Sequence, residues 1–448
     1  MSPKLIQLLI IMNKEVAIFW FRRDLRLDDN AGLYHALKSG VPVLPIFIFD
    51  ENILEKLQNT SDRRVDFIFQ VLQDLKIQLQ DLGSDLLILH GKPEAVWADL
   101  LSNYQVKSVF CNHDYEKYAL ERDFEIKEIC KVKNIDFRSF KDQCIFEKQE
   151  VLSATGTPYT VFSPFMRKWK EKLNDFYTKP YPTESYFGNF CKFSLEKKWA
   201  LSDIGFKKTD INYEKPKLSK SILINYKENR DFPAIVGTSH LSIHFRFGTI
   251  SIRKCVKYAQ QFSDTWLNEL IWRDFYMNIL SNFPQINEGK AFKKQYDKIP
   301  WRNNETEFKA WCEGKTGYWL VDAGMRELNQ TGFMHNRVRM VVASFLCKHL
   351  LIDWRWGEAY FAEKLNDFDF SANNGGWQWA SSSGCDAVPY FRIFNPESQT
   401  SKFDKELKYI KKWVPEFLSF NYPKPIVDHK FARERALKVY KEALNEVE

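Results

Sequence analysis

The eight cysteines of this 448-residue chain form no Cys-x-x-Cys pair and have no metal-ligand spacing. That argues against a disulfide framework and a zinc site, and it fits a reducing cytoplasm. No apolar run approaches the length of a membrane span. The opening run from Leu5 to Met12 is short, carries Gln7 and lacks the small-residue cleavage site of a signal peptide. Residues 1–14 therefore read as an N-terminal extension, with Met12 as an alternative start. Also missing is a Gly-x-Gly-x-x-Gly loop after the first apolar run, which removes the standard dinucleotide fingerprint, and no nicotinamide-site motif takes its place. The surplus is aromatic, with 14 Trp, 19 Tyr and 37 Phe. Such a stock serves a large core, and it also suits base stacking and electron transfer between indoles. A hydrophobic share of 44% and a charged share of 27% are those of a soluble globular protein. The net charge of +7 permits a polyanionic partner without establishing one.

The length leads us to expect two domains. Apolar runs at 16–21, 43–49, 86–89 and 108–111 alternate with helical patterns at 31–38, 64–82 and 118–132. Strand and helix in alternation predict an α/β domain, a parallel sheet with helices on both faces, over residues 15–142. Periodicity then weakens and Pro158, Pro164, Pro180 and Pro182 intervene, so 143–218 reads as a connector, with a helix opening at Phe162. From 219 to 448 the pattern is helical, with helices expected at 219–229, 252–259, 264–281, 317–329, 335–350 and 356–365, an all-α domain.

Four stretches carry candidate chemistry. Gly237-Thr238-Ser239-His240-Leu241-Ser242 places hydroxyls and unpaired backbone N–H groups after a glycine, a cradle for phosphate oxygens or a plain capped turn. Trp266, Glu269, Trp272, Arg273 and Tyr276 recur at helical spacing, so that Glu269 and Trp272 share a face able to hydrogen-bond and stack on a base. Asn336 and Met340 lie four apart, flanked by Arg337 and Arg339. Asn373-Asn374-Gly375-Gly376-Trp377-Gln378-Trp379 fits neither the helical nor the strand apolar period and reads either as a binding pocket or as a Gly-Gly turn followed by buried tryptophans.

These motifs, with Trp20-Phe-Arg-Arg-Asp-Leu-Arg-Leu-Asp-Asp-Asn30 and Gly332-Phe-Met-His-Asn-Arg-Val-Arg-Met340, resemble the photolyase/cryptochrome family from about Val16 to Pro415, and the class I cyclobutane pyrimidine dimer photolyases of bacteria most of all. The resemblance implies an α/β antenna domain and a helical domain that holds FAD, with light-driven electron transfer to a pyrimidine dimer in UV-damaged DNA. By the same resemblance Tyr226, Thr238, Ser239, His240, Leu241, Ser242 and Trp266 hold the cofactor. Asp367, Phe368 and Asp369 approach its ring system, Arg339 pairs with Asp367, and Asn373 faces flavin N5. Glu269, Trp272, Asn336, Met340 and Trp379 meet the dimer. Trp377, Trp354 and Trp301 match the family's electron-transfer chain, while Arg230, Arg273, Tyr276, Arg337, Arg392, Gln399 and Lys402 contact DNA, as do Glu269, Trp272 and Asn336. The implied enzyme is a cytoplasmic monomer without metal.

The rival implied by the same resemblance is a cryptochrome-type photoreceptor without repair activity. Repair of the (6-4) photoproduct calls for histidines at the positions of Asn336 and Met340, which this chain lacks. Folate-binding members place Asn-Glu where this chain has Tyr118-Ala119. That leaves the second chromophore open among methenyltetrahydrofolate, a deazaflavin, another flavin or none.

Overall fold

A computed structural model describes residues 14–445, so the N-terminal extension, Lys14 apart, and the alternative start at Met12 lie outside the described residues. The chain forms two compact units. One runs up to Glu147 and includes Leu173–Leu218 and Leu241–Tyr258; the other comprises Lys148–Lys172, Ser219–His240 and the chain from Ala259 onward.

The first unit is built on a parallel sheet of β1 (Glu15–Phe21), β2 (Val43–Asp50), β3 (Leu87–Gly91), β4 (Gln105–Asn112) and β5 (Asp136–Phe140), in the order β3-β2-β1-β4-β5. Successive side chains of a strand face opposite sides of the sheet. Ala17, Phe19 and Phe21 accordingly enter one core with Phe47 and Leu72, and Val16, Ile18 and Trp20 enter another with Ile46 and Trp97. Both faces of β1 and β2 are covered, which is why these strands read as unbroken apolar runs. β5 and the helix Pro93–Asn103 escaped the sequence reading. β5 is an edge strand whose Asp136, Arg138 and Ser139 give it no apolar run.

Residues 143–218, which read as a connector, are shared between the two units, and the helix Phe162–Lys172 belongs to the second. Leu241–Tyr258, in the stretch expected to be part of the helical domain, joins the first unit. Its anchor is ionic: Arg253 donates to Asp29 at 2.8 Å and to Asp142 at 2.7 Å, and Arg26 donates to Asp142 at 2.7 Å. Burial alone would raise the Asp142 carboxyl, but Arg26 and Arg253 together hold it below the usual carboxylate range.

The second unit is helical around one large core to which Trp311, Val341, Trp354 and Trp377 contribute. Observed helices include Asp264–Asn282, Trp319–Thr331, Asn336–Ser344, Trp354–Lys364 and Phe370–Ser381. The helix expected at 335–350 is α-helical only to Ser344 and continues as a π-helical turn, Phe345–His349.

Candidate active site

The helix Asp264–Asn282 starts where Ser263 accepts the Trp266 backbone N–H at 3.3 Å, with Asp264 in the first turn complementing the helix dipole. Trp266 is buried, whereas Glu269, Trp272 and Tyr276 are each half-buried. Trp272 does not stand alone. Phe162 stacks on its indole with ring centroids 3.7 Å apart and planes 5° from parallel. Trp169, on the same helix as Phe162, donates its indole N–H to Asp274 at 3.0 Å, fixing that helix against Asp264–Asn282. Glu269 pairs with Arg230, whose guanidinium also lies 5.8 Å from the Tyr226 ring centroid. Burial pushes the Glu269 carboxyl above its usual range, and Arg230 pulls the other way.

A second wall comes from Asn336–Ser344. His335 caps this helix, its Nδ1 accepting the Arg337 N–H at 3.2 Å, so a neutral ring carries its proton on Nε2, a buried atom with no partner among the described residues. Burial, reinforced by Arg339, brings the His335 pKa down to about 4. Asn336 is exposed and Met340 half-buried, four residues apart. Arg337 donates to Asp231 at 2.8 Å and lies 4.5 Å from the Phe403 ring centroid. Arg339 donates to the Met334 carbonyl at 2.7 Å and to Asp367 at 3.0 Å.

The stretch 373–379 corrects its sequence reading, because it lies within a regular helix, Phe370–Ser381. Asp369 accepts the Ala372 N–H at 3.3 Å at one end, and Ser382 takes a left-handed conformation at the other. Its buried face is Ser371, Asn374, Trp377, Gln378 and Ser381, a helical period written mostly in polar residues. Gln378 donates to Asn374 at 2.8 Å and accepts the Phe292 N–H at 2.8 Å, so both ends of its buried amide are satisfied internally. Gly375 does not make room for a cofactor: a Cβ there would come within 2.2 Å of the Tyr276 ring, whereas Gly376 faces open space. Trp379 is half-buried, 6.4 Å from Phe394 by ring centroids.

For a bound flavin nucleotide the residues present fit. The backbone N–H groups and hydroxyls of Thr238 and Ser239, and the N–H of His240, make no hydrogen bond among the described residues. They stand free for phosphate oxygens. Asn373 donates to the Glu358 carboxylate at 2.9 Å and to its carbonyl at 3.1 Å. The amide carbonyl is thereby left as an acceptor for a ring N–H. Leu241 and Ser242 fall in the first unit. Trp354 and Trp377 lie in the common core, and Trp301 packs against that core and, edge-on, against Tyr440 at 6.0 Å. Trp377 lies 5.0 Å from Phe361 and 6.1 Å from Trp311.

Of the expected DNA contacts, Arg392 and Lys402 are exposed, Gln399 and Arg273 half-buried, and Arg230 and Arg337 engaged with carboxylates. In the first unit, Tyr118 donates to Asp50 at 2.8 Å and receives the Asn52 amide at 3.1 Å. Sequence reasoning missed Phe162, Asp231 and Glu358 as partners of site residues. The Phe162 helix was legible, but which indole it would meet was not.

Residues 17–185 match the family model described as DNA photolyase, and residues 266–421 match the FAD binding domain of DNA photolyase. The deoxyribodipyrimidine photo-lyase of Synechococcus sp. is 35% identical over an alignment covering 94% of this chain and 96% of the relative. A bacterial class III photolyase from Agrobacterium tumefaciens superposes with a TM-score of 0.84 at 33% identity, covering 96% of this chain and 98% of that one. A cryptochrome from Synechocystis sp. gives 0.78 at 25% identity, covering 95% and 99%. Since both family segments occur in one chain and the likeness to a photo-lyase runs along nearly all of it, the chain belongs to the DNA photolyase family.

Proposed function

We propose that the chain is a light-dependent DNA-repair enzyme, a deoxyribodipyrimidine photo-lyase that splits cyclobutane pyrimidine dimers and works as a cytoplasmic monomer. The observation that carries this reading is the helix Asp264–Asn282, which presents a half-exposed carboxylate and a half-exposed indole one turn apart, with Phe162 stacked on the indole. FAD bound by these residues would supply the light-driven one-electron chemistry that splits the dimer.

The chain's own residues bind, orient and shield. The damaged pair leaves the duplex at low cost because it is already poorly stacked. Trp272 and Trp379 give it apolar walls, with Trp272 held at a fixed angle by Phe162, and Met340 adds a further contact. Glu269 and Asn336 hydrogen-bond the lesion. Thr238, Ser239 and His240, with Tyr226, Leu241 and Ser242, take the phosphates and sugar chain of the cofactor. Trp266 lines its cavity, and Arg339 with Asp367, Phe368 and Asp369 flanks its ring system. Asn373 offers the ring the carbonyl that Glu358 leaves free. Trp301, Trp354 and Trp377 relay electrons from the surface. Arg230, Arg273, Tyr276, Arg337, Arg392, Gln399 and Lys402 contact the DNA, so affinity falls steeply with salt.

Illuminating the reduced protein with dimer-containing duplex is expected to clear the lesion in light and leave it in the dark. Intact dimers after illumination move the assignment to a cryptochrome-type photoreceptor. An absorption band besides that of FAD identifies any second chromophore.

A further inference from the structure

The Arg230–Glu269 ion pair sets a problem for the proposed reaction. Both partners are assigned to the DNA, the guanidinium to a phosphate and the carboxyl to the lesion, yet in the free protein they hold each other. A carboxylate can only accept hydrogen bonds, and the charge of a guanidinium paired with a carboxylate is already largely neutralised when a phosphate arrives. We infer that Arg230 is a positioning residue that exchanges partners: a DNA phosphate takes its guanidinium, and Glu269 then takes a proton from solvent and becomes a hydrogen-bond donor to the lesion. The inference rests on the repair reading above and adds a step to it.

Three observations carry it. The pair sits at the rim, with the side chains of Arg230 and Glu269 33% and 32% exposed, so a phosphate can reach the guanidinium without unpacking the core. A half-exposed ion pair contributes little, and exchanging it for a phosphate releases counterions. Among the described residues Arg230 is the cation that acts most on Glu269; Arg273, one turn on in the same helix, Lys227, beside Tyr226, and Arg167, on the Phe162 helix, act on it less than Asp231 does. Asp231, on the chain segment beside it, is an anion, itself bonded to Arg337 at 2.8 Å, and Tyr226 and Tyr276 are neutral phenols. From the other elements packed on this helix, Phe370–Ser381 contains no ionisable side chain, and Phe162–Lys172 turns Phe162, Phe165 and Trp169 inward. Its Lys168 and Lys170 pair with Glu171 and Asp264. Beyond the helix end, Glu288 pairs with Lys290. Once Arg230 leaves, the largest influences on Glu269 are burial and the charge of Asp231, and both favour the protonated acid. The proton returns to solvent when the repaired DNA departs and Arg230 swings back.

The test is calorimetric titration of the flavin-loaded full chain, in the dark, with a short duplex carrying one thymine dimer, in phosphate and in Tris, whose ionisation heats differ. The expected result is uptake of about one proton per duplex bound, and an affinity that weakens by about tenfold per pH unit on the alkaline side. Glu269→Gln, neutral at every pH, should lose both effects while still preferring the damaged duplex. Arg230→Met should lose the uptake with Glu269 in place. Tight, dimer-selective binding by the unmodified protein with no proton uptake overturns the exchange, and that measurement needs no variant to fold. Failure to distinguish the damaged from the undamaged duplex overturns instead the repair reading beneath it.

Discussion

The strands β1 and β2 of the first unit and the helix Phe370–Ser381 of the second are both buried, but they are made of opposite materials. Phe19, Phe21, Ile46 and Phe47 lose apolar surface to their neighbours and ask for nothing specific in return. Asn374, Gln378 and Ser381 are buried as deeply with hydrogen bonds placed for them: the Asn374 carbonyl takes the Gln378 amide, Gln378 takes the Phe292 N–H, and the Ser381 hydroxyl donates to the Gln378 carbonyl. Apolar burial tolerates approximate neighbours, while polar burial fixes a geometry. The polar helix also carries Asn373, Trp377 and Trp379, residues assigned to cofactor, electron path and lesion. Rigidity there positions the site.

The comparison can be broken from either side. Phe19→Ala removes a fully buried ring from the sheet and is expected to cost about 3–5 kcal/mol in the urea unfolding transition of the first unit, with flavin binding little changed. On the polar side burial is titratable. His335 has its pKa lowered from 6.5 to about 4, so the fold holds the neutral ring and the unfolded chain binds the extra proton. The stability this contributes is complete above about pH 6.5, falls as pH drops toward about 4, and is at most about 3 kcal/mol. Unfolding midpoints recorded across that range should show this acid slope, and His335→Asn should flatten it. Gln378→Ala strands the Phe292 N–H and the Asn374 amide oxygen, a loss of about 1–3 kcal/mol, and Gln378→Leu, of similar size but apolar, should not restore it. Recovery by leucine in thermal melts would show that this helix is held as the sheet is. The smallest effect is expected from Gly375→Ala. The added methyl must displace the Tyr276 ring, at about 1–2 kcal/mol after the gain in helix propensity, and tyrosine fluorescence together with dimer-duplex affinity reports the displacement.

The same contrast decides what could be read from the chain. Strands β1 to β4 were legible because an apolar run survives as a run whatever it packs against. β5 was not, because an edge strand needs no such run. The helix Asp264–Asn282 and its Glu269, Trp272 and Tyr276 were legible through spacing and motif. The helix Phe370–Ser381 was not, since the pattern test counts apolar residues and its buried positions are largely polar. Leu241–Tyr258 read as more of the helical domain, because nothing in its composition shows that Arg253 reaches Asp29 and Asp142.

By itself the sequence determined the alternation of strand and helix, the later helical stretch, and the set of carboxylate, amide, indole and guanidinium groups that make up the site. These are local properties, written in periodicity and residue type. Tertiary structure alone decided the pairings: Phe162 on Trp272, Arg230 on Glu269, Asp231 on Arg337 and Glu358 on Asn373. Each joins residues far apart in the chain, and a long-range partner is chosen by packing and charge in three dimensions, for which no local pattern exists.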